Sequence, residues 1–246
     1  MKILILGANG FTGRRILKRL APSHQVMACS LHPDILPEEG YQFQTLNMVD
    51  ADTTDSLLKD FQPEVIINAS ALSVVDYCEQ HPEEAYALNV SAVKHLAEYS
   101  QASSCRLIHL STDFVFDGTA SEPYKETDSP NPVNYYGKTK RWSEEAIEQT
   151  CTNYAIARVE VVYGKPFPGQ HGNIVHLVKS RLENGQGIRV VSDQFRTPTW
   201  VEDIARAIEA LLSEKHQGIY HSCGGDTLSV ADIAYRTSKY FGLDSS

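Results

Sequence analysis

The sequence predicts an α/β chain folded around a doubly wound parallel sheet. Three observations carry that prediction. Apolar runs of strand length alternate with segments of helical periodicity, the pattern of βαβ units. The runs Lys2–Leu6, Glu64–Asn68 and Arg106–Leu110 are apolar nearly throughout, as strands covered on both faces are. The first run passes into a helical segment through a glycine-rich turn, Gly7–Gly13. With right-handed crossovers this is a Rossmann-like sheet, followed by a small, discontinuous C-terminal lobe.

Each element follows from its local pattern. Lys2–Leu6 is the first strand, and Phe11–Leu20 is helical through Ile16, Leu17 and Leu20. Gln25–Cys29 and Tyr41–Leu46 read as strands, and Thr53–Phe61 as a helix with Leu57, Leu58 and Phe61 on one face. Glu64–Asn68 is a buried strand, Pro82–Ser100 one long helix, and Arg106–Leu110 another buried strand. Thr112–Tyr135 is polar and holds Pro123, Pro130 and Pro132; so long a connection points to a functional loop. A helix over Tyr136–Glu148 and a strand over Tyr154–Arg158 complete the first unit. After Tyr163 and Gly164 the chain loosens over 165–173, the expected crossing into the second lobe. Ile174–Leu182 is helical, Gly187–Val191 extended, Val201–Leu212 an amphipathic helix, Gly218–His221 a strand and Ser229–Phe241 the last helix. The expected division is 1–164 plus about 193–213 for a dinucleotide-binding domain, and about 165–192 plus 214–246 for a substrate-binding lobe.

Composition bounds the function. A chain of 246 residues can bury a sizeable core without disulfides or a structural metal. A formal charge of −9 disfavours nucleic acid and anionic membranes as partners. No apolar run approaches the ~18 residues of a membrane span. Met1–Gly10 ends in a glycine turn rather than a cleavage site, which disfavours a signal peptide. Cys29, Cys78, Cys105, Cys151 and Cys223 are odd in number and scattered, the pattern of buried, reduced thiols in a cytoplasmic protein.

The turn Gly7-Ala-Asn9-Gly10-Phe11-Thr12-Gly13 stands where a strand meets a helix. Gly7 permits the tight turn, Gly10 lets the backbone approach a pyrophosphate, and Gly13 lets the helix pack on the strand. The helix N-terminus adds free N–H groups and positive dipole. The second strand ends Ala28–His32 without the acid that binds a ribose 2′-hydroxyl, while Arg14 and Arg15 follow the last glycine and are placed to meet a 2′-phosphate. The chain therefore reads as taking NADP(H), with NAD(H) as the alternative.

Tyr136 and Lys140, four apart at the start of a helix, share one face. A phenol with pKa near 10 works as an acid/base once a neighbouring ammonium lowers that value. Ser111, Thr112 and Asp113 lie at the carboxyl end of a strand, where open α/β sheets bind ligands, and a hydroxyl there can donate to a substrate oxygen. His109, within that strand, reads as a satisfied core histidine.

On these motifs the chain resembles the extended short-chain dehydrogenase/reductases, and among them the dTDP-4-dehydrorhamnose reductase family. The matching segments are 7–13, 67–79, 89–97, 109–118, 135–140, 157–164, 193–205 and 218–225, which span nearly the whole chain. The resemblance implies a catalytic set of Thr112, Tyr136 and Lys140, with Lys140 also holding the nicotinamide ribose. It implies cofactor contacts from Gly7 to Arg14 at the glycine turn and from Ser30. Asn47 and Met48 would lie at the adenine, and Ala69, Ser70, Ala71 and Tyr163 on the nicotinamide side. Val75, Asp76, Thr112, Asp113, Phe114 and Arg196 would face substrate. The implied reaction is NADPH-dependent reduction of the 4-keto group of a nucleotide-activated deoxy sugar. A homodimer is compatible with this reading. Family members run several tens of residues past the helix ending near Phe241, so the resemblance implies an incomplete lobe.

Two positions depart from the family pattern. Arg196 replaces a glycine, where it could meet a nucleotide diphosphate or form a salt bridge, and Ser143 replaces another glycine as a packing change. Sugar-nucleotide dehydratases need a carboxylate where this chain has Phe114. Epimerases usually carry a different segment around Asp113. The chain also resembles the regulatory beta subunit of methionine adenosyltransferase, which has an arginine at the position of Arg196; that resemblance implies a binding protein without turnover.

Overall fold

A computed structural model describes residues 1–170 and 172–244. His171, in the expected crossing segment, and Ser245 and Ser246, at the end of the expected lobe, lie outside the described residues. Seven parallel strands form the central sheet: β1 (Lys2–Leu6), β2 (Gln25–Ser30), β3 (Gln42–Thr45), β4 (Val65–Asn68), β5 (Arg106–Thr112), β6 (Tyr154–Val159) and β10 (Gly218–Ser222). Their order in space is β3-β2-β1-β4-β5-β6-β10. The chain winds outward from β1 in one direction, then returns to β4 and winds in the other. That reversal leaves a crevice at the carboxyl ends of β1 and β4.

Alternation along each strand builds two apolar layers. Ile3, Ile5, Ala28, Ile67, Ile108 and Ala157 face α1 (Phe11–Leu20) and α8 (Val201–Ala210). Leu4, Leu6, Ile66, Leu107 and Ile156 face α2 (Ala51–Phe61), α5 (Ala92–Ser103) and α6 (Tyr135–Thr150). Both faces of the strands are thus buried, which is why they read as continuous apolar runs.

The structure departs from the sequence reading in four places. The helix expected over Pro82–Ser100 is broken: α4 (Pro82–Tyr86) passes through a π-helical turn at Ala87–Ser91 before α5. That turn aims Asn89 inward, where its side chain bonds the backbone N–H of Leu72 at 2.8 Å and the Thr139 hydroxyl at 3.0 Å. An additional helix, α3 (Val75–Gln80), precedes it. Gly187–Val191, expected to be extended, forms no strand. Gly218–Ser222, expected in the smaller lobe, is the edge strand of the main sheet, in register with Ala155–Val159.

The remaining elements lie beyond the sheet's carboxyl edge. β7 (Val162–Tyr163) pairs with β9 (Thr199–Trp200), and β8 (Phe195–Arg196) pairs with β11 (Leu228–Ser229). Helices α7 (Ile174–Glu183) and α9 (Val230–Phe241) pack on each other. Four of the five cysteines are buried thiols, as the sequence suggests, while Cys223 is exposed. Among the described residues no helix is long and apolar enough to cross a membrane.

Candidate active site

The glycine turn brings backbone onto backbone. A Cβ at Gly7 would meet the Ala69 and Ser70 main chain, and one at Gly13 would run into the Gly7 carbonyl. Gly7 also has φ of 80°, in the left-handed region. Gly10 caps α1 without a side chain, leaving the first-turn N–H groups of Phe11, Thr12 and Gly13 open to an anion. Beside the turn lies a cleft of about 320 Å³, lined by Gly7, Ser30, Asn47, Met48, Ser70 and Leu88. Five of the predicted cofactor contacts therefore share one crevice. Gly164, after Tyr163, sits against Phe11 and Val201, which brings the β7 end to the start of α1.

Asn9 and Arg14 have structural partners. The Asn9 amide donates to the His32 and Pro33 carbonyls and accepts from the Ile35 N–H, pinning the loop after β2. Arg14 is fully buried; it pairs with Asp34 at 2.8 Å, donates to the Leu36 carbonyl and lies over the Tyr41 ring. This corrects two expectations. An acid does follow the second strand, Asp34, and Arg14 is engaged rather than free for a 2′-phosphate. A guanidinium carried into a core needs an anion, and the loop supplies one. Arg15 is likewise occupied, stacked 3.8 Å from the centre of the Phe167 ring and paired with Glu202.

The predicted catalytic residues meet at the end of β5. Thr112 is its last residue; its hydroxyl donates to Asp113 at 3.0 Å and accepts from the Phe114 N–H, beside the Tyr136 phenol. Tyr136 enters from the first turn of α6, which Asn134 caps by accepting from the Gly137 N–H at 2.7 Å. A Cβ at Gly137 would collide with the Phe114 carbonyl, so only glycine lets α6 seat this close to the turn after β5. Phe114 packs edge-on to the Tyr136 ring at 5.9 Å, and Val75 and Leu72 pack on the same cluster. Asp76 lies in the first turn of α3 and is exposed.

Arg196 crosses from β8 to pair with Asp113, lies 3.8 Å from Glu160, and covers the Phe114 ring. Of the two roles read from sequence, the salt bridge is the one seen here. Burial, and then the Glu160 charge, push the Asp113 carboxyl up to about 6, while Arg196 and Thr112 pull it down.

Lys140 shares a face with Tyr136 as its spacing predicts, but its ammonium end turns inward. Nζ lies 2.8 Å from His109 Nε2 and 2.8 Å from the Leu110 carbonyl. Burial lowers its pKa from 10.5 to about 7, and the nearby Glu144 charge only partly offsets this. The Tyr136 phenol is raised above its ordinary value, by burial first and the Asp113 charge second. The expected lowering of Tyr136 by Lys140 is therefore reversed: desolvation outweighs any help from a cation whose end points elsewhere. Ser143, read as a packing change, is wired into the same group, donating to the Lys140 carbonyl at 2.6 Å. The sequence reading assigned no site role to Asn68, Asn89 or Glu160. Asn68 left one signal, a lone amide closing an otherwise apolar strand.

A family profile for the RmlD substrate binding domain matches residues 1–246. The chain belongs to the RmlD substrate-binding domain family. Among its relatives, the methionine adenosyltransferase 2 subunit beta of Xenopus laevis is 35% identical, over 100% of this chain and 73% of its own length. The dTDP-4-dehydrorhamnose reductase of Salmonella typhimurium is 33% identical, over 95% of this chain and 76% of its own. A crystal structure of a dTDP-4-dehydrorhamnose reductase from Clostridium acetobutylicum superposes with a TM-score of 0.89 at 31% identity, covering 100% of this chain and 82% of that one. One from Bacillus anthracis, in complex with NADP, superposes with a TM-score of 0.85 at 26% identity, covering the same shares.

Proposed function

We propose that this member of the RmlD family reduces the 4-keto group of a nucleotide-activated deoxy sugar with NADPH. The observation that carries the reading is the meeting of Thr112 and Tyr136 at the carboxyl end of β5, in the same sheet whose crevice holds the glycine turn. The close-packed turn and its uncapped helix start fit a dinucleotide pyrophosphate, and the cleft lined by Asn47 and Met48 fits an adenine. When bound, a nicotinamide would supply the hydride. The chain's residues manage the proton. Tyr136, held as a phenol by its burial, is in the form needed to protonate a developing alkoxide. Thr112 can steady that oxygen by turning its one hydroxyl hydrogen from Asp113 to it. Lys140, when charged, favours the phenolate that remains. A preference for NADP belongs to this proposal, supported by the Bacillus anthracis relative's complex; for Arg14 to serve it, the guanidinium must give up Asp34.

The experiment is NADPH oxidation with dTDP-4-keto-6-deoxy sugars, followed at the nicotinamide absorbance band. Turnover should fall about 10²–10⁴-fold in Tyr136→Phe while NADPH affinity is retained. A second reading, a binding subunit without turnover, draws on the methionine adenosyltransferase relatives and on Arg196, whose pairing with Asp113 engages a residue expected to face substrate. Tight NADPH binding with no oxidation by any nucleotide-sugar ketone would favour it.

A further inference from the structure

The core beneath Lys140 holds an unbroken chain of hydrogen bonds whose polarity can be assigned from its two ends. At one end, Asn68 Oδ1 accepts from the Ser70 N–H at 3.0 Å. That bond orients the amide, so Asn68 Nδ2, a donor, faces His109 Nδ1 at 3.2 Å. His109 Nδ1 must then accept, and the proton of the neutral ring sits on Nε2. At the other end, Ser143 spends its one hydroxyl hydrogen on the Lys140 carbonyl at 2.6 Å. Its oxygen, 3.2 Å from His109 Nε2, is left to accept. Both ends require His109 to carry its proton on Nε2.

Lys140 Nζ is the nearest neighbour of that N–H, at 2.8 Å. An ammonium there would set donor against donor. Moving the ring proton to Nδ1 only shifts the clash onto Asn68, and flipping Asn68 shifts it onto the Ser70 N–H. One arrangement avoids every donor–donor contact: Lys140 as an uncharged amine, accepting from His109 Nε2–H and donating to the Leu110 carbonyl, 2.8 Å away. We infer that Asn68 and Ser143 lock His109 in its Nε2–H form, and that His109 is a positioning residue that holds Lys140 as a neutral amine, a proton acceptor rather than a fixed cation.

The surroundings agree. Lys140 and His109 are almost wholly inaccessible to solvent. Glu144, one turn further along α6, faces Lys140 but is held by Arg158 of β6 through both oxygens, at 2.8 and 2.9 Å, and by Arg141. Its charge is therefore largely spent before it reaches the amine. Tyr136 lies one turn before Lys140 on the same helix, and Asp113 beyond β5 is tied to Arg196 and Thr112. Burial lowers both the Lys140 and the His109 pKa, which favours the neutral form of each.

The test reads the free protein and needs no substrate. In ¹⁵N-labelled wild type, long-range ¹H–¹⁵N correlations of the His109 ring should show the neutral Nε2–H form from about pH 8 to about pH 9, above the Lys140 titration. An Nδ1–H form or an imidazolium in that range overturns the inference. Asn68→Asp keeps the shape and the acceptor for Ser70 but presents an acceptor to Nδ1. It should switch the ring to Nδ1–H and move the Lys140 amine titration up by about one pH unit or more, a tenfold change in proton affinity. Retention of Nε2–H in Asn68→Asp overturns the lock. A rise of the same size in Asn68→Asp combined with His109→Leu would mean that the new charge acts directly, and would overturn the role of His109. Resting on the proposed reductase reading, kcat/KM should increase as pH falls through the Lys140 titration, and this limb should move alkaline in Asn68→Asp. The absence of turnover would sink that reading and leave the ring measurement standing.

Discussion

Lys140 and Arg158 are both basic side chains with almost no exposure, and the chain handles them in opposite ways. Arg158 has a carboxylate, Glu144, in a two-point contact. Removing that partner leaves a buried charge alone, so Glu144→Gln should cost about 3–5 kcal/mol in urea unfolding. Lys140 has only neutral partners, and its folded pKa of about 7 lies below the ordinary 10.5. The folded state thus binds fewer protons than the unfolded chain between these values, and stability rises with pH across that window. The destabilisation is complete below about pH 7 and gone above about 10.5. Lys140→Met should therefore raise Tm at pH 6–7 by several degrees, with the gain vanishing towards pH 10.5, as a thermal melt at each pH will show. A Tm gain that is flat in pH would mean that packing, not charge, is responsible.

Among the elements, α6 carries the most consequence, because its first turn sets Tyr136 and its second sets Lys140. Its seat depends on Gly137, where an added methyl meets the Phe114 carbonyl. Backbone cannot rotate away as a side chain can, so Gly137→Ala should cost about 1–3 kcal/mol. It should also displace Tyr136 from Thr112 and depress turnover beyond what the stability loss explains. Helix α9 offers the contrast. It starts in a capping box, Ser229 with Asp232, whose side-chain hydrogen bonds run between these two residues rather than to Thr112, Tyr136 or the glycine turn. Ser229→Ala should cost about 1 kcal/mol in denaturant titration and leave NADPH affinity untouched.

Across the whole molecule, Arg106 is the side chain, among the described residues, that reaches both approaches to the far edge of the sheet. Arg106, at the start of β5, donates to the Leu211 carbonyl at 2.8 Å, to Asn153 at 2.7 Å and to the His216 carbonyl. It thereby ties the end of α8 and the approach to β10 to the centre of the sheet. β10 has one neighbour, β6, so it depends on such ties more than β1 or β4 do. In Arg106→Met the amides of Gly218–Ser222 should exchange hydrogen at least tenfold faster, while those of Lys2–Leu6 change little. Equal acceleration in both strands would show that Arg106 supports the whole core rather than its edge.

The sequence by itself determined the seven strands of the central sheet, the parallel pairing of the first six, the glycine turn and the Tyr136–Lys140 face. These depend on short-range patterns: two-residue and 3.6-residue periods, and the need for glycine where backbones touch. The tertiary structure alone decided how the polar side chains are spent. Arg14 found Asp34 twenty residues away. Arg196 found Asp113 across 83 positions, and Lys140 turned to His109 across 31. The break in the helix before α5, which delivers Asn89 to Leu72, was equally hidden behind an unbroken helical pattern. The physical reason is shared. A buried polar group takes whichever partner the packed fold brings within hydrogen-bond reach, and that choice depends on desolvation and distance rather than on any run of neighbouring residues.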